Sequence, residues 1–149
     1  MTCESTISNT SIVTWLIVLG GWIVVHSATL ARERRKEKRD AANTLIEAIK
    51  AVEQFAVCFH TAEKYDSSAS DALIWRVSRL IRILQRPPLK AMDIPLNLMV
   101  RFRKGITLKN IDPSSFTTQT YHSDLIRDIR NATDEMIESI EAARDVCFF

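Results

Sequence analysis

Twenty Lys/Arg against 18 Asp/Glu leave this chain of 149 residues with a net charge of +2, so the total says little and the distribution of charge says more. The three glycines, Gly20, Gly21 and Gly105, make no phosphate-cradling loop, which excludes P-loop and dinucleotide folds. The three cysteines, Cys3, Cys58 and Cys147, are too few and too scattered for a metal site.

The first predicted element is a membrane helix. An uncharged run extends from Ser5 to Ala31, and its strongest part, Ser11 to Leu30, has the ~20 residues that cross a ~30 Å hydrocarbon core at about 1.5 Å per residue. Fourteen consecutive uncharged residues from Ile12 to Val25, with Trp15 and Trp22 among them, leave no polar face for water, which argues against a core helix. A secretory signal would carry its positive charge ahead of the apolar run. Here six Lys/Arg lie within the ten residues after it and none before it. The positive-inside rule then places the N-terminus outside and the remainder in the cytosol. The expected division is 1–10 as a short extracytoplasmic segment, 11–30 as the span and 31–149 as one small cytosolic domain. Within the span, Thr14, Val18, Gly21, Val25 and Ala28 form a small or β-branched seam, and Thr14, Gly21 and Ala28 are the expected helix-packing residues of a homo-oligomer.

The rest reads as helices, giving an all-α fold. From Asp40 to Lys64, Leu45, Ile49, Val52, Ala56 and Phe59 recur at spacings of 4, 3, 4 and 3, and this helix continues the membrane helix without a break. Ser67 to Asp71 reads as a loop ending in N-cap residues, after which Leu73, Val77, Leu80 and Leu84 mark a second helix stopped by Pro87-Pro88. Leu96 to Phe102 alternates like a strand, yet Asp93 and Pro95 before it and Gly105 after it favour a short capped helix. From Ser123 a last helix carries Ile129, Thr133, Met136, Ile140, Ala143 and Cys147 as a heptad-like stripe, suited to an antiparallel bundle or to a subunit contact. Cys58 and Cys147 are expected to be buried thiols.

Charge separates along the domain. Residues 71–109 hold nine Lys/Arg against two Asp, a net of +7, and residues 123–149 hold seven Asp/Glu against three Arg, a net of −4. The asymmetry suggests an anionic partner for the middle segment and a basic neighbour for the tail. Arg76, Arg79, Arg82 and Arg86 share the side of the second helix opposite its leucines, and Trp75 borders them. Such a row is relieved by tail carboxylates, by lipid headgroups or by phosphates, while an indole stacks on a nucleobase. Arg101, Arg103 and Lys104, with Lys109, are expected to converge on the same site. The competing reading is a solvated face partly paired with Asp and Glu of the last helix. His26, His60 and His122 are not spaced as ligands, and no serine sits in a nucleophile turn. His60, beside the apolar stripe, reads as a satisfied interior residue. No catalytic or metal constellation stands out, which favours a binding or membrane-acting protein over an enzyme.

The residues Gly21-Trp22-Ile23-Val24-Val25-His26, then Arg34-Arg35 and Lys38-Arg39, then the stretch from Arg101 to Asp112 and Ser114-Ser115-Phe116 together resemble small bacterial single-pass membrane proteins, which implies that the span lies in a bacterial inner membrane. In architecture the chain is similar to the membrane effector associated with type III CRISPR systems. That resemblance implies an oligomer, expected to be a tetramer, that binds cyclic tetra-adenylate and perturbs the bilayer in antiviral defence. It carries over no site residue. The expected partners are therefore the lipid bilayer, further copies of the chain and a cyclic oligonucleotide, with no DNA. The alternative is a single-pass adaptor that recruits an acidic cytosolic protein or anionic lipid through the same basic surface.

Overall fold

The computed structural model describes residues 9–146 and is helical in every regular element among them: α1 Asn9–Thr61, α2 Ser67–Leu84, a 3₁₀ turn Leu89–Met92, α3 Leu96–Thr107 and α4 Asp124–Val146. The all-α expectation holds, as does the unbroken first helix. Cys3, Cys147 and most of the 1–10 segment lie outside the described residues. The chain divides into two compact units, Met1–Lys36 and Glu37–Phe149.

In the first unit every residue from Ile12 to Leu30 is exposed, and none of its 18-residue apolar window is buried. A helix of a soluble core would hide such a surface, so this one is long and apolar enough to cross a membrane once. Two of its hydroxyls are satisfied on the helix itself: Ser27 donates to the Val24 carbonyl and Thr29 to the Val25 carbonyl, each at 2.9 Å. Trp22 and His26, one turn apart, stack with ring centroids 5.1 Å apart. A Cβ built on Gly20 or Gly21 meets nothing within 4 Å, leaving room beside Gly21 in the seam that also contains Thr14 and Ala28.

The second unit is built on the apolar stripes. Leu45, Ile49, Val52, Ala56 and Phe59 of α1 are all buried, as are Leu73, Val77, Leu80 and Leu84 of α2. Ile129, Thr133, Met136 and Ile140 of α4 are completely buried inside the same chain. Those four positions are therefore spent on the domain's own core, while Ala143 is half-buried and Cys147 lies outside the described residues. The outward face of α1 runs through Glu47, Gln54 and Cys58, all exposed, which corrects the expectation of a buried Cys58.

Two helix boundaries differ from the sequence reading. Ser67 to Asp71 form the first turn of α2, because Asp66 caps it: one carboxylate oxygen accepts from the Ser68 amide at 2.8 Å and the Ala69 amide at 3.3 Å. The Ser68 hydroxyl, donating to the same oxygen, and then the two amides hold the Asp66 carboxyl below its ordinary pKa. Residues 96–107 are helix, but neither flank acts as expected. Asp93 is left-handed at φ 49°, ψ 47° and ends the 3₁₀ turn, while Pro95 occupies the N-cap of α3 without a side-chain bond. Gly105 lies inside α3, where an added Cβ would stand 3.3 Å from the Ala132 Cβ of α4. Its small size permits the close approach of these two helices.

The irregular stretch after α3 is pinned rather than loose. Asn110, left-handed at φ 58°, accepts from the Thr117 amide at 2.7 Å and donates to the Thr117 carbonyl at 2.9 Å. Gln119 donates its amide to the His60 carbonyl at 2.8 Å, and Phe59, Tyr65 and Phe116 meet edge to face with centroids 5.6–6.0 Å apart.

Candidate functional site

The basic residues expected at the site fall into two sets with different neighbours. On α2, burial of Leu73, Val77, Leu80 and Leu84 against the core turns Arg76, Arg79, Arg82 and Arg86 outward, and all four are exposed. The Arg76 guanidinium lies over the Phe55 ring of α1, 4.3 Å from its centroid, and Arg79 lies 5.2 Å from the Trp75 ring. Arg82 folds back, its Nε donating to the Ser78 carbonyl at 3.3 Å. No ion pair joins any of the four to a carboxylate among the described residues. Packing over an aromatic face leaves the outer N–H groups of a guanidinium free to meet an anion.

Between α1 and α2 runs a groove of two adjoining hollows. The first, of about 460 Å³, is floored by Ala48, Ala51, Val52 and Leu80 and rimmed by Trp75, Arg76 and Arg79. The second, of about 340 Å³, shares Thr44, Ala48, Leu80 and Ile83 with it and ends at Arg86 and Pro87-Pro88. An apolar floor, an exposed indole and cations on one rim suit a ligand with a flat apolar part and negative charge. Sequence reading placed Trp75 and the arginines but missed the α1 side of the groove. Its signal was available in Ala41, Thr44, Ala48 and Ala51, small residues at spacings of 3, 4 and 3 beside the larger apolar stripe.

In the second set, Arg101 of α3 and Lys109 just past its end face α4 instead. Arg101 forms a two-pronged pair with Glu135, Nη1 to Oε2 at 2.8 Å and Nη2 to Oε1 at 3.0 Å, and Lys109 meets Asp128 at 3.0 Å. These groups line a separate hollow of about 310 Å³ together with Lys104 and Gly105. It shares no lining residue with the α1–α2 groove, so these two hollows keep Arg101 and Lys104 apart from Arg76, Arg79 and Arg86. Arg103 and Lys104 are exposed and join no ion pair among the described residues. The acidic tail thus finds its basic neighbour in α3, within the chain.

The other titratable groups are structural in setting. His60 is 0 % exposed; its Nε2 lies 3.3 Å from the Ile106 carbonyl and its Nδ1 3.4 Å from the Asn110 amide nitrogen, a neutral ring donating from one side and accepting on the other. Burial pushes its pKa down, and the Ile106 hydrogen bond opposes part of that shift. Glu53, part-buried on α1 and 4.0 Å from Arg130, has its carboxyl pushed up by burial and then by Asp134, against the pull of Arg130 and Lys50. No group of three or more His, Cys, Asp or Glu gathers at metal-binding distance among the described residues. No family model, no curated protein and no solved structure matches the chain.

Proposed function

We propose that this is a single-pass bacterial inner-membrane effector, N-terminus out, whose cytosolic domain binds a cyclic oligoadenylate in the α1–α2 groove and then perturbs the membrane in antiviral defence. The observation that carries the reading is the row Arg76, Arg79, Arg82 and Arg86 beside Trp75, which meets no carboxylate among the described residues although the same domain pairs Arg101 and Lys109. Bases lie against Trp75 and the aliphatic floor, and phosphates take the outer N–H groups of Arg76, Arg79 and Arg86. One groove accommodates a fraction of such a ring, so several copies, a tetramer in the fully symmetric case, complete the site around it. The domain works as a non-catalytic receptor. Binding energy that differs between two arrangements of the assembly is what moves the membrane helices.

The experiment is titration of the full chain in detergent with cyclic tetra-adenylate. Saturable binding at micromolar concentration or tighter is expected, and Arg79→Glu weakens it by ten- to hundredfold or more, since a charge-assisted contact contributes on the order of 1.5–3 kcal/mol. Absence of binding by the folded protein to any cyclic oligoadenylate at micromolar concentration would overturn the reading. The floor of small aliphatic residues, Ala41, Ala48 and Ala51, favours a second reading, an adaptor that holds an acidic amphipathic helix in the same groove.

A further inference from the structure

Helix α4 carries a row of carboxylates that its own chain leaves unused. Its inward side is spent on Ile126, Ile129, Met136 and Ile140, all buried, and Asp128 and Glu135 on one flank hold Lys109 and Arg101. Asp134, Glu138 and Glu141 lie on the side away from the core. All three are exposed, and none meets a cation at ion-pair distance among the described residues. Their charge is felt nearby: after burial itself, Asp134 is what pushes the Glu53 carboxyl of α1 up. The arginines of α2 form the matching row. Arg79, Arg82 and Arg86 follow one another at spacings of 3 and 4, the three carboxylates at spacings of 4 and 3. Each row is therefore about 10 Å long, and with the two helices running the same way they pair at offsets of 55, 56 and 55 residues.

The rows also stand at one level along α1. Helix α2 follows it from Phe55, under the Arg76 guanidinium, to Thr44, which lines one hollow with Ile83 and Arg86. Helix α4 follows it from Glu53, beside Arg130, to Asn43, whose side-chain oxygen accepts from Arg144 at 3.1 Å. Both thus run antiparallel to α1 and parallel to each other, α2 on the side of Thr44, Ala48 and Ala51 and α4 on the side of Asn43 and Glu53. The two rows of one chain therefore do not meet. We infer that the α2 row of one copy docks on the α4 row of the next, Arg79 with Asp134, Arg82 with Glu138 and Arg86 with Glu141, head to tail with all copies pointing the same way. The partner is a second copy because one domain supplies both rows at one height, so a rotation about an axis along α1 carries one onto the other with no slide. Exposed pairs contribute little each, so they set register and direction, while confinement of the copies by their membrane helices supplies the local concentration. The contact belongs to the ligand-free chain and does not depend on what the α1–α2 groove binds; an anion held there competes with it for Arg79 and Arg86.

The test mixes two preparations of the full chain in detergent, both with Cys3, Cys58 and Cys147 replaced by serine, one carrying Arg86→Cys and the other Glu141→Cys. Oxidised at low salt without any nucleotide, the mixture should give a disulfide-linked dimer, and neither preparation should do so alone. A dimer from either preparation alone overturns the proposal in favour of a two-fold contact. Preferential linking of Arg86→Cys to Asp134→Cys shows the helices running oppositely and overturns it as well, as does the absence of any dimer. Sedimentation equilibrium gives the second readout. Asp134→Lys/Glu138→Lys/Glu141→Lys should weaken association by at least about tenfold, two- to fivefold for each exposed pair, and adding Arg79→Glu/Arg82→Glu/Arg86→Glu to the same chain should restore it. Association that survives the first reversal, or that a folded chain does not regain after the second, assigns assembly to the membrane seam and overturns the contact. Cross-linking keeps the other four charges in place and decides the matter even where a triple variant does not fold.

Discussion

Helices α2 and α3 each present a cluster of cations, and the sequence makes them look alike, yet they sit in opposite electrostatic circumstances. Arg101 of α3 and Lys109, just past its end, are answered by Glu135 and Asp128, because Gly105 lets α3 settle against Ala132 and brings the polar flanks within reach. The arginines of α2 meet ring faces and a backbone carbonyl, with no carboxylate among the described residues. A positive count along a segment therefore measures supply; the neighbouring helix decides how much of it stays free for a partner.

The sharpest way to break this comparison is to remove one cation from each set. Arg76→Ala should weaken binding of an anionic groove ligand by ten- to hundredfold, as a charged hydrogen bond is lost. Arg101→Ala should leave that affinity unchanged and alter stability by less than about 1 kcal/mol, the scale of an exposed pair. Titration calorimetry and thermal unfolding of the two variants decide the matter, and equal losses of affinity would mean that the two sets form one site after all.

The next largest effect targets the feature that sets α3 apart. Gly105→Leu forces bulk into the α3–α4 contact, where a single Cβ already stands 3.3 Å from Ala132. Overpacking of this kind costs about 1–3 kcal/mol and should separate Arg101 and Lys109 from their carboxylates. The expected readout is a lower unfolding midpoint together with tighter salt-sensitive adsorption to anionic vesicles. An unchanged midpoint would show that α3 and α4 are not held so close.

The smallest effect concerns His60. Its folded pKa lies below the ordinary 6.5, so above that pH the ring is neutral in both states, and as the pH falls below 6.5 the unfolded chain takes up the proton first. Stability should decline through that window by at most about 1.4 kcal/mol per pH unit. Urea unfolding in detergent between pH 8 and 5.5 should show this slope in the native chain and a flatter one in His60→Gln; an equal slope in both would assign it elsewhere. Glu53 is displaced upward from its ordinary 4.5, so its contribution to stability grows as the pH falls and it does not produce this loss.

The fold was readable wherever a residue's fate follows from its own helix. The stripes of α1, α2 and α4 gave the buried faces, because periodicity fixes which side chains share a side. What stayed hidden depends on the neighbour. Nothing local says that Asp66, one residue ahead of the serine run, wins the N-cap, or that Gly105 marks a helix contact instead of a helix end. The α2 arginines were legible as a row, while the alanines facing them across the groove were not, since a groove belongs to two helices and each pattern describes one. Cys58 was misread by composition: cysteine is commonly buried, but its position two residues after Ala56 turns it to the outward face of α1.

Domains made of helices usually fold fast because most of their contacts are local in sequence. Here the far end of α1 is the exception. Its His60 ring is satisfied by partners 46 and 50 residues away, and the Ala62 carbonyl accepts the Thr118 hydroxyl from 56 residues downstream. During synthesis the α1 terminus leaves the ribosome well before any of these partners exist, and it waits, hydrated, for α3 and the following loop to arrive. Closure of that long loop is thus the natural last step of assembly, and a late one for a helical domain of this size.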